Sequence, residues 1–430
     1  MKHVSVLLAI SCLLSTVKAQ WLETTIQLPS GSKPEFLCYN SQNNKIYSAN
    51  HDSTITVING VTNEVITSVA LGDSTVALCY NSANNKVYCT DGRYGQAYVF
   101  EMDGSSDKVT ATMRVGSFSY AICCNPTDNK VYTANNSSNN VSVIDCATDS
   151  VVATVQVQFD PRVLCYNVAD NKVYCASCWW EPQTVTILDG TTNEVVDVVD
   201  GGGYPRALCY SSAADKVYCA DADYGCVTVV DGATDSVLAT VETGHSMWFL
   251  CSDSIDNKVY CANILDNNVT VLDGAADTVL ATVATGRYPY ALCHNTINDK
   301  VYCANAQSSS VTVIDGVTNT VVATIGVGSV PADLAYNPIQ NRVYVANRGD
   351  STISVLRDSM PNGVEESPKP QASSSKPEAT VVRSLPSGAV AFDAMGRRVL
   401  NPKPGVYFVR EEPQAAGSKS QAFCKVVIAR

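Results

Sequence analysis

Ala291-Leu292-Cys293, Lys300-Val301-Tyr302-Cys303, Val311-Thr312-Val313-Ile314 and Val321-Val322-Ala323-Thr324-Ile325 follow one another along the chain, separated by segments rich in Asn, Asp, Gly and Ser. Short runs with β-branched or alternating content between such turn residues read as four strands. The Lys/Arg-Val/Ile-Tyr tripeptide of the second run recurs with its tyrosine at Tyr47, Tyr88, Tyr132, Tyr174, Tyr218, Tyr260, Tyr302 and Tyr344, spaced by 41 to 44 residues. Four strands at that period match a β-propeller blade, whereas helical repeats of similar length need a 3.6-residue periodicity that this sequence lacks.

The two ends of the array set the blade count. Trp21 to Leu28 resembles the fourth strand of a unit, and Thr352 to Leu356 is a third strand with nothing strand-like directly after it. Together they complete one blade, which closes the ring and hides edge strands that would otherwise pair with other chains. The expected fold is all-β: an eight-bladed β-propeller of four-stranded blades closed by an N-terminal strand. Seven blades is the alternative if one irregular unit is misplaced.

Composition narrows the class. The 430 residues are 46% apolar and only 16% charged, with a net charge of −12, which argues against a disordered chain. Residues 20–358 hold 17 basic against 35 acidic side chains, so nucleic acid is not an expected partner. Met1 to Ala19 reads as a signal peptide: a basic start, an apolar run from Val4 to Leu14, and small residues at Val17-Lys18-Ala19. No stretch reaches the roughly 18 apolar residues of a transmembrane segment. An extracellular or cell-surface location follows from that reading.

After the repeats, residues 359–378 are rich in proline and serine, as in an extended linker. Residues 379–430 read as a small β-sandwich-like module with strands at Thr380 to Leu385, Ala389 to Phe392, Val406 to Arg410 and Phe423 to Ile428, and turns at Gly396 and Pro404-Gly405.

Two resemblances attach to these segments. Pro331, Tyr336-Asn337-Pro338, Asn341-Arg342-Val343-Tyr344-Val345-Ala346-Asn347 and Ile353-Ser354-Val355 resemble the YVTN-type β-propeller repeat of bacterial and archaeal surface proteins, surface-layer-like chains among them, over roughly residues 20 to 358. This resemblance implies a propeller at or outside the cell envelope and no particular activity. Phe392-Asp393-Ala394-Met395-Gly396-Arg397-Arg398-Val399, Pro404-Gly405-Val406-Tyr407-Phe408-Val409 and Lys425-Val426-Val427-Ile428 resemble the C-terminal sorting domain of type IX secretion. That resemblance implies secretion machinery as a partner and passage through the outer membrane, with the tail cleaved or used as an anchor. The first part of the motif is shortened here, which leaves a small adhesive β-domain as the alternative.

Eighteen cysteines are the unusual feature of the composition. Seven of eight units carry one in the first strand, and five of these are followed ten residues later by one in the second. If the neighbouring tyrosines fix the register, the pairs Cys79-Cys89, Cys165-Cys175, Cys209-Cys219, Cys251-Cys261 and Cys293-Cys303 stand opposite one another within disulfide reach. Cys178-Cys226 is a candidate bridge between blades. The competing reading is that these are small buried thiols, as reduced cysteine often is. Neither reading supplies a tetrahedral metal set, so no metal or cofactor is expected. The repeated Lys, Tyr and Asp-Gly are read as packing and turn residues, with glycine supplying positive φ.

Variation between units is the better guide to function. Three residues before the first-strand cysteine site the units carry Glu35, Val76, Tyr120, Arg162, Arg206, Trp248, Tyr290 and Ala332, although their flanks are nearly identical. The loops joining strand four to strand one, and strand two to strand three, are expected on the same face. They add Phe118, Phe159, Tyr204, His245, Arg287 and Tyr288, and Arg93, Tyr94, Trp179, Trp180 and Tyr224. Arginine with aromatic side chains suits stacking on sugar rings and gripping carboxylates or peptides. A binding or adhesion module for an extracellular glycan or protein ligand is the expectation, against drifting loops with aromatic packing. Two other classes stay open. One is a structural envelope component; the other is a metal-dependent channel enzyme, lactonase-like, for which Glu35, Asp160 and Asp333 are the only inner carboxylates. No Gly-x-Ser-x-Gly or His-Glu-x-x-His motif is present, and His294, where most units have tyrosine, is read as packing.

Overall fold

The computed structural model describes residues 20–359 apart from 73–74 and 179–182, together with tail strands between residues 380 and 428. The expected signal peptide, nearly all of the linker, and Trp179, Trp180, Gly396 and Pro404 lie outside the described residues. Eight four-stranded antiparallel sheets are present, seven of them in simple sequential strand order. In the eighth, Gln20–Gln27 lies beside Thr352–Asp358, followed by Arg342–Asn347 and Pro331–Asn337. The chain is therefore an eight-bladed propeller whose last blade takes its outer strand from the N-terminus. Seven blades is excluded.

The innermost strands are Pro34–Asn40, Thr75–Asn81, Ser119–Asn125, Pro161–Asn167, Pro205–Ser211, Met247–Asp253, Pro289–Asn295 and Pro331–Asn337. The second and third strands of each blade are almost entirely buried and the fourth is largely exposed, as in Lys300–Asn305, Ser310–Asp315 and Thr320–Gly326. Each apolar layer lies between neighbouring blades: Tyr174, Val185 and Ile187 of blade four pack with Val217, Cys219 and Val230 of blade five. No single hub core is formed.

The repeated Lys-Val-Tyr is the fastener between blades. Lys172 and Tyr174 of blade four reach Asp235 in the outer turn of blade five at 2.8 and 3.1 Å, and Lys172 also donates to Gly232 O at 2.9 Å. Blade one does the same, with Lys45 and Tyr47 on Asp107. In blade seven Lys300 and Tyr302 take Asp358, which Gln20 also grips. The packing role is thus correct. Glycine, however, does not supply the positive φ. Positive φ falls on the turn residues Asn63, Asp107, Asn193, Asp235, Asp277 and Asn319. The glycine is required by close approach instead: a Cβ on Gly60 or Gly232 would meet a backbone carbonyl of Asn44 or Asp215 at 2.7 Å.

Preceding aspartates cap these turns. Asp189 Oδ1 accepts N–H groups from Thr191 and Thr192 at 2.9 and 2.7 Å. Such backbone donors hold Asp103, Asp145, Asp189 and Asp231 below the ordinary carboxylate range. A carboxylate whose folded pKa is depressed stabilises the fold fully above its unfolded value, about 3.9, and loses that contribution as pH falls through the folded value. The difference in urea midpoint between the wild type and an Asp189→Asn variant should be constant from pH 7 down to about pH 4 and shrink below it.

The cysteine register differs from the expectation by one residue. Cys79 stands opposite Tyr88, and Cys89 opposite Leu78; the other four pairs repeat this offset. Successive strand residues face opposite sides. The two cysteines of a blade therefore point to different neighbours, and none of the five expected intrablade bridges forms. Cys123 instead shares a layer with Cys175, and Cys209 with Cys261, both as free thiols. Cys178-Cys226 is not a bridge either: Cys178 lies 3.6 Å from Asp160 Oδ2 and Cys226 3.7 Å from Asp221 Oδ2. The one disulfide among the described residues joins Cys79 to Cys124 across blades two and three, with Cα atoms 6.2 Å apart.

Burial pushes the thiols of Cys38, Cys123, Cys178 and Cys293 up to about 12. Since thiolate is the reactive form, iodoacetamide should label these cysteines slowly in the native protein and rapidly after unfolding. Non-reducing peptide mapping should link Cys79 to Cys124 and find no pair within a blade.

The tail is a separate compact unit, Glu365–Arg430. Its described strands form one five-stranded sheet, with Thr380–Val382 parallel to Phe423–Ile428. Arg398–Val399 is a strand the sequence reading lacks, and the described strands make a single sheet rather than a sandwich.

Candidate functional site on the bulge ring

Every inner strand has a register shift at one point. The ladder skips from Pro34 to Phe36, Thr75 to Ala77, Ser119 to Ala121 and Pro161 to Val163. It skips likewise from Pro205 to Ala207, Met247 to Phe249, Pro289 to Ala291 and Pro331 to Asp333. The skipped residues are Glu35, Val76, Tyr120, Arg162, Arg206, Trp248, Tyr290 and Ala332, the eight positions at which the repeats diverge. A bulge leaves its residue outside the ladder and re-aims its side chain. The repeat thus presents eight interchangeable side chains from one rigid frame.

The loops leading into and facing these strands share one end of the ring. Tyr288 O accepts from Ala306 N at 2.8 Å, Phe118 O from Asn136 N at 2.9 Å, and Tyr204 O from Ala222 N at 3.0 Å. Each bond ties a four-to-one loop to the two-to-three loop of the same blade, as expected.

On this end a run of aromatic and guanidinium groups crosses successive blades. Tyr94 stacks on Phe118 at 4.4 Å, and Phe118 lies 5.9 Å from Tyr120. Arg162 sits 5.1 Å over Tyr120. Arg206 is held between Tyr204 at 4.7 Å and Trp248 at 4.5 Å. Trp248 meets Tyr290 at 5.7 Å, and Tyr290 stacks with Tyr288 at 6.3 Å. Arg206 Nε has no acceptor among the described residues. Burial pushes the Tyr290 phenol up to about 12, with Glu35 adding to the shift, so it remains a neutral donor at physiological pH.

Two hollows open beside the run. One of about 140 Å³ is bordered by Arg206, Trp248 and Phe249. The other, about 200 Å³, lies against Tyr288, Tyr290 and Arg348, where the small Ala332 leaves room.

The remaining expected residues are placed less uniformly. Glu35 is on the ring but is paired with Arg348 at 2.8 Å, a partner the sequence reading missed. Its signal is the one arginine that follows Ala-Asn at the end of a second strand. Arg93 lies on the same end, its Nε 3.4 Å from Asp91. His245 is exposed and bound to Asp266, 2.8 Å through its backbone N–H and 3.2 Å through Nδ1. Arg287 is exposed, with its N–H on Ser308 Oγ at 2.6 Å.

The channel carboxylates do not assemble a metal centre. Asp333 Oδ2 accepts from Leu37 N and Oδ1 from Leu334 N, both at 2.8 Å, so this residue stitches blade eight to blade one. Burial raises it to about 7. Asp160 is taken up by Asn136 and by Arg162, the latter at 3.1 Å. Among the described residues Glu35, Asp160 and Asp333 form no common ligand group.

Residues 20–216 match the family of YNCE-like β-propellers. No curated protein matches the sequence. Among solved structures, the computationally designed Ika8 protein is similar with a TM-score of 0.65 and 19% identity, over 77% of this chain and 98% of that one. Sqt1 of Saccharomyces cerevisiae gives 0.68 and 11%, over 78% and 100%. Hydrazine synthase of Kuenenia stuttgartiensis gives 0.55 and 16%, over 79% and 99%. At these identities the likeness is one of fold alone. No described helix is long and apolar enough to cross a membrane.

Proposed function

We propose that this β-propeller is an exported, cell-surface-associated binding module whose ligand, a glycan or an acidic or aromatic peptide segment, seats on the bulge ring. The observation that carries the reading is the contrast between frame and ring. Fasteners, turns and layers repeat from blade to blade, whereas the bulged residues differ and gather arginine and aromatic groups into one run. Flat aromatic faces pack against sugar rings, and a guanidinium offers directed bonds to carboxylate or hydroxyl oxygen. The signal-peptide and sorting-domain resemblances support export and passage through the outer membrane.

Two measurements test this. Cell fractionation with N-terminal sequencing should find a protein that begins near Gln20 at the surface or in the medium. Intact protein retained in the periplasm would contradict the export part. A panel of cell-surface glycans and peptides should contain a ligand whose binding is lost in the combined variant Arg162→Ala, Arg206→Ala and Trp248→Ala. If every bound ligand is unaffected, the ring is not the site.

A further inference from the structure

At the far end of the inner strands the blades are joined by a second set of latches. Asn40 Nδ2 donates to Asn85 Oδ1 of the next blade at 3.0 Å, Asn125 to Asn171 at 2.9 Å, Asn295 to Asn341 at 2.9 Å and Asn337 to Asn44 at 2.8 Å. A tyrosine hydroxyl commonly joins the acceptor, as Tyr166 does on Asn171 at 3.0 Å and Tyr336 on Asn341 at 3.2 Å. An amide can serve as donor and acceptor at once, which is why a neutral Asn–Asn contact closes these seams.

At the seam between blades six and seven all three latch residues are replaced. Asp253 stands for the donor asparagine, Asp299 for the acceptor and His294 for the tyrosine. Two carboxylates now face one another, with His294 Nε2 in place of an amide N–H between them, while Asp253 Oδ1 also accepts the N–H groups of Ile255 and Asp256 at 2.8 and 3.2 Å. Asp253 is fully buried, and the side chains of His294 and Asp299 are 6% and 15% exposed. His294 Nε2 lies 3.4 Å from Asp253 Oδ1 and 3.1 Å from Asp299 Oδ1, and the three donor atoms fall within 4.8 Å of one another. Asp253 Oδ2 and Asp299 Oδ2 have no hydrogen-bond partner. Lys258, opposite Asp253 in the hairpin, is engaged elsewhere: it donates to Gly316 O and to Asp256 at 3.2 Å. The preceding seam is a useful contrast, because there Ser211 and Asn257 simply leave the latch open without adding charge.

We propose that Asp253, His294 and Asp299 form a site for a divalent transition-metal ion, Zn²⁺ foremost, that clips blade six to blade seven. Ligands about 2.0 to 2.1 Å from zinc sit about 3.3 Å apart in a tetrahedron, which the two imidazole-to-carboxylate distances already match. Imidazole with two carboxylates is a donor set for zinc or manganese rather than for calcium, which takes six to eight oxygens. A 2+ ion balances the two buried carboxylates while imidazole stays neutral, and solvent completes the coordination. The clip is independent of the bulge ring, which lies at the other end of the inner strands.

The test uses the full mature protein, stripped with chelator and titrated with Zn²⁺ alone. About one zinc per chain is expected, and excess zinc should raise the melting temperature by about 3 to 6 °C. The control is Asp253→Asn with His294→Tyr and Asp299→Asn, which gives this seam the Asn–Asn–Tyr latch found where Asn125, Asn171 and Tyr166 meet. That variant should fold, bind no zinc at this stoichiometry, and melt at a temperature indifferent to zinc. Zinc that neither binds nor stabilises the wild type, or that binds the triple variant equally, overturns the proposal.

Discussion

A chain lacking Gln20–Gln27 should fail to give a cooperative unfolding transition. This strand is the outer strand of blade eight, paired with Thr352–Asp358 through seven residue pairs. It also buries Ile26 and carries the chain to buried Leu28, which sit in one layer with Ile46 and Ile58 of blade one and Tyr344 of blade eight. Each such side chain contributes about 1.5 to 3 kcal/mol on burial, and a domain holds only about 5 to 15 kcal/mol in all. The loss is compounded because an open ring exposes sheet edges.

A milder probe separates the ion pair from the strand. Glu23 is itself skipped in the pairing with Thr352–Asp358 and is aimed at Arg342, which it holds in a bidentate pair at 2.6 Å, while Arg357 lies at 3.4 Å. Arg342 is mostly buried and also donates to Gly60 O and Val61 O of blade one. Glu23→Gln keeps the shape and removes the charge, at a cost of about 1.5 to 3 kcal/mol. Thermal melts should fall by about 3 to 6 °C. An unchanged melting temperature for either variant would show that closure contributes little.

The second large effect concerns Arg206 and Trp248. Arg206→Ala should weaken ligand binding by about thirtyfold or more, the range of a well-packed arginine hot spot. Arg206→Lys should fall between, since lysine keeps the charge but loses the flat fork that lies between Tyr204 and Trp248. Because the two side chains touch, Arg206→Ala and Trp248→Ala should not add: titration calorimetry on the double variant should give a coupling of about 0.5 to 2 kcal/mol. Each single variant should shift the melting temperature little, as loss of one half-exposed cation–π contact is worth about 1 kcal/mol. Additive effects would mean that the two residues serve separate contacts.

Much of this was legible in the sequence, because a repeat makes one blade evidence for the next. The tyrosine spacing, the incomplete last unit and the leading Trp21 to Leu28 lead directly to eight blades and their closure. The ring of divergent positions was visible as variation against a constant background. What the sequence hid was the hairpin register and the bulge. The turn pairs Asn81 with Lys86, and this register, kept back to Ala77, sets Cys79 opposite Tyr88 rather than Cys89. The bulge lies beyond the cysteines, at the start of the strand, and explains why the divergent side chains present themselves at all. The surroundings of His294 are hidden for a different reason: it lies 3.4 Å from Asp253 of the neighbouring blade, a contact no spacing within one unit reveals. The role of the outer-turn glycine was also a matter of tertiary contact, set by the asparagine or aspartate packed against it rather than by its own φ.

Amide hydrogen exchange of the ligand-bound protein against the free protein shows whether ligand seats on the bulged residues. Protection concentrated in residues 117–120, 158–162, 202–206, 244–248 and 286–290 is the expected result. Protection confined to the outer turns at the other end of the ring, such as residues 59–64 and 189–194, would contradict it.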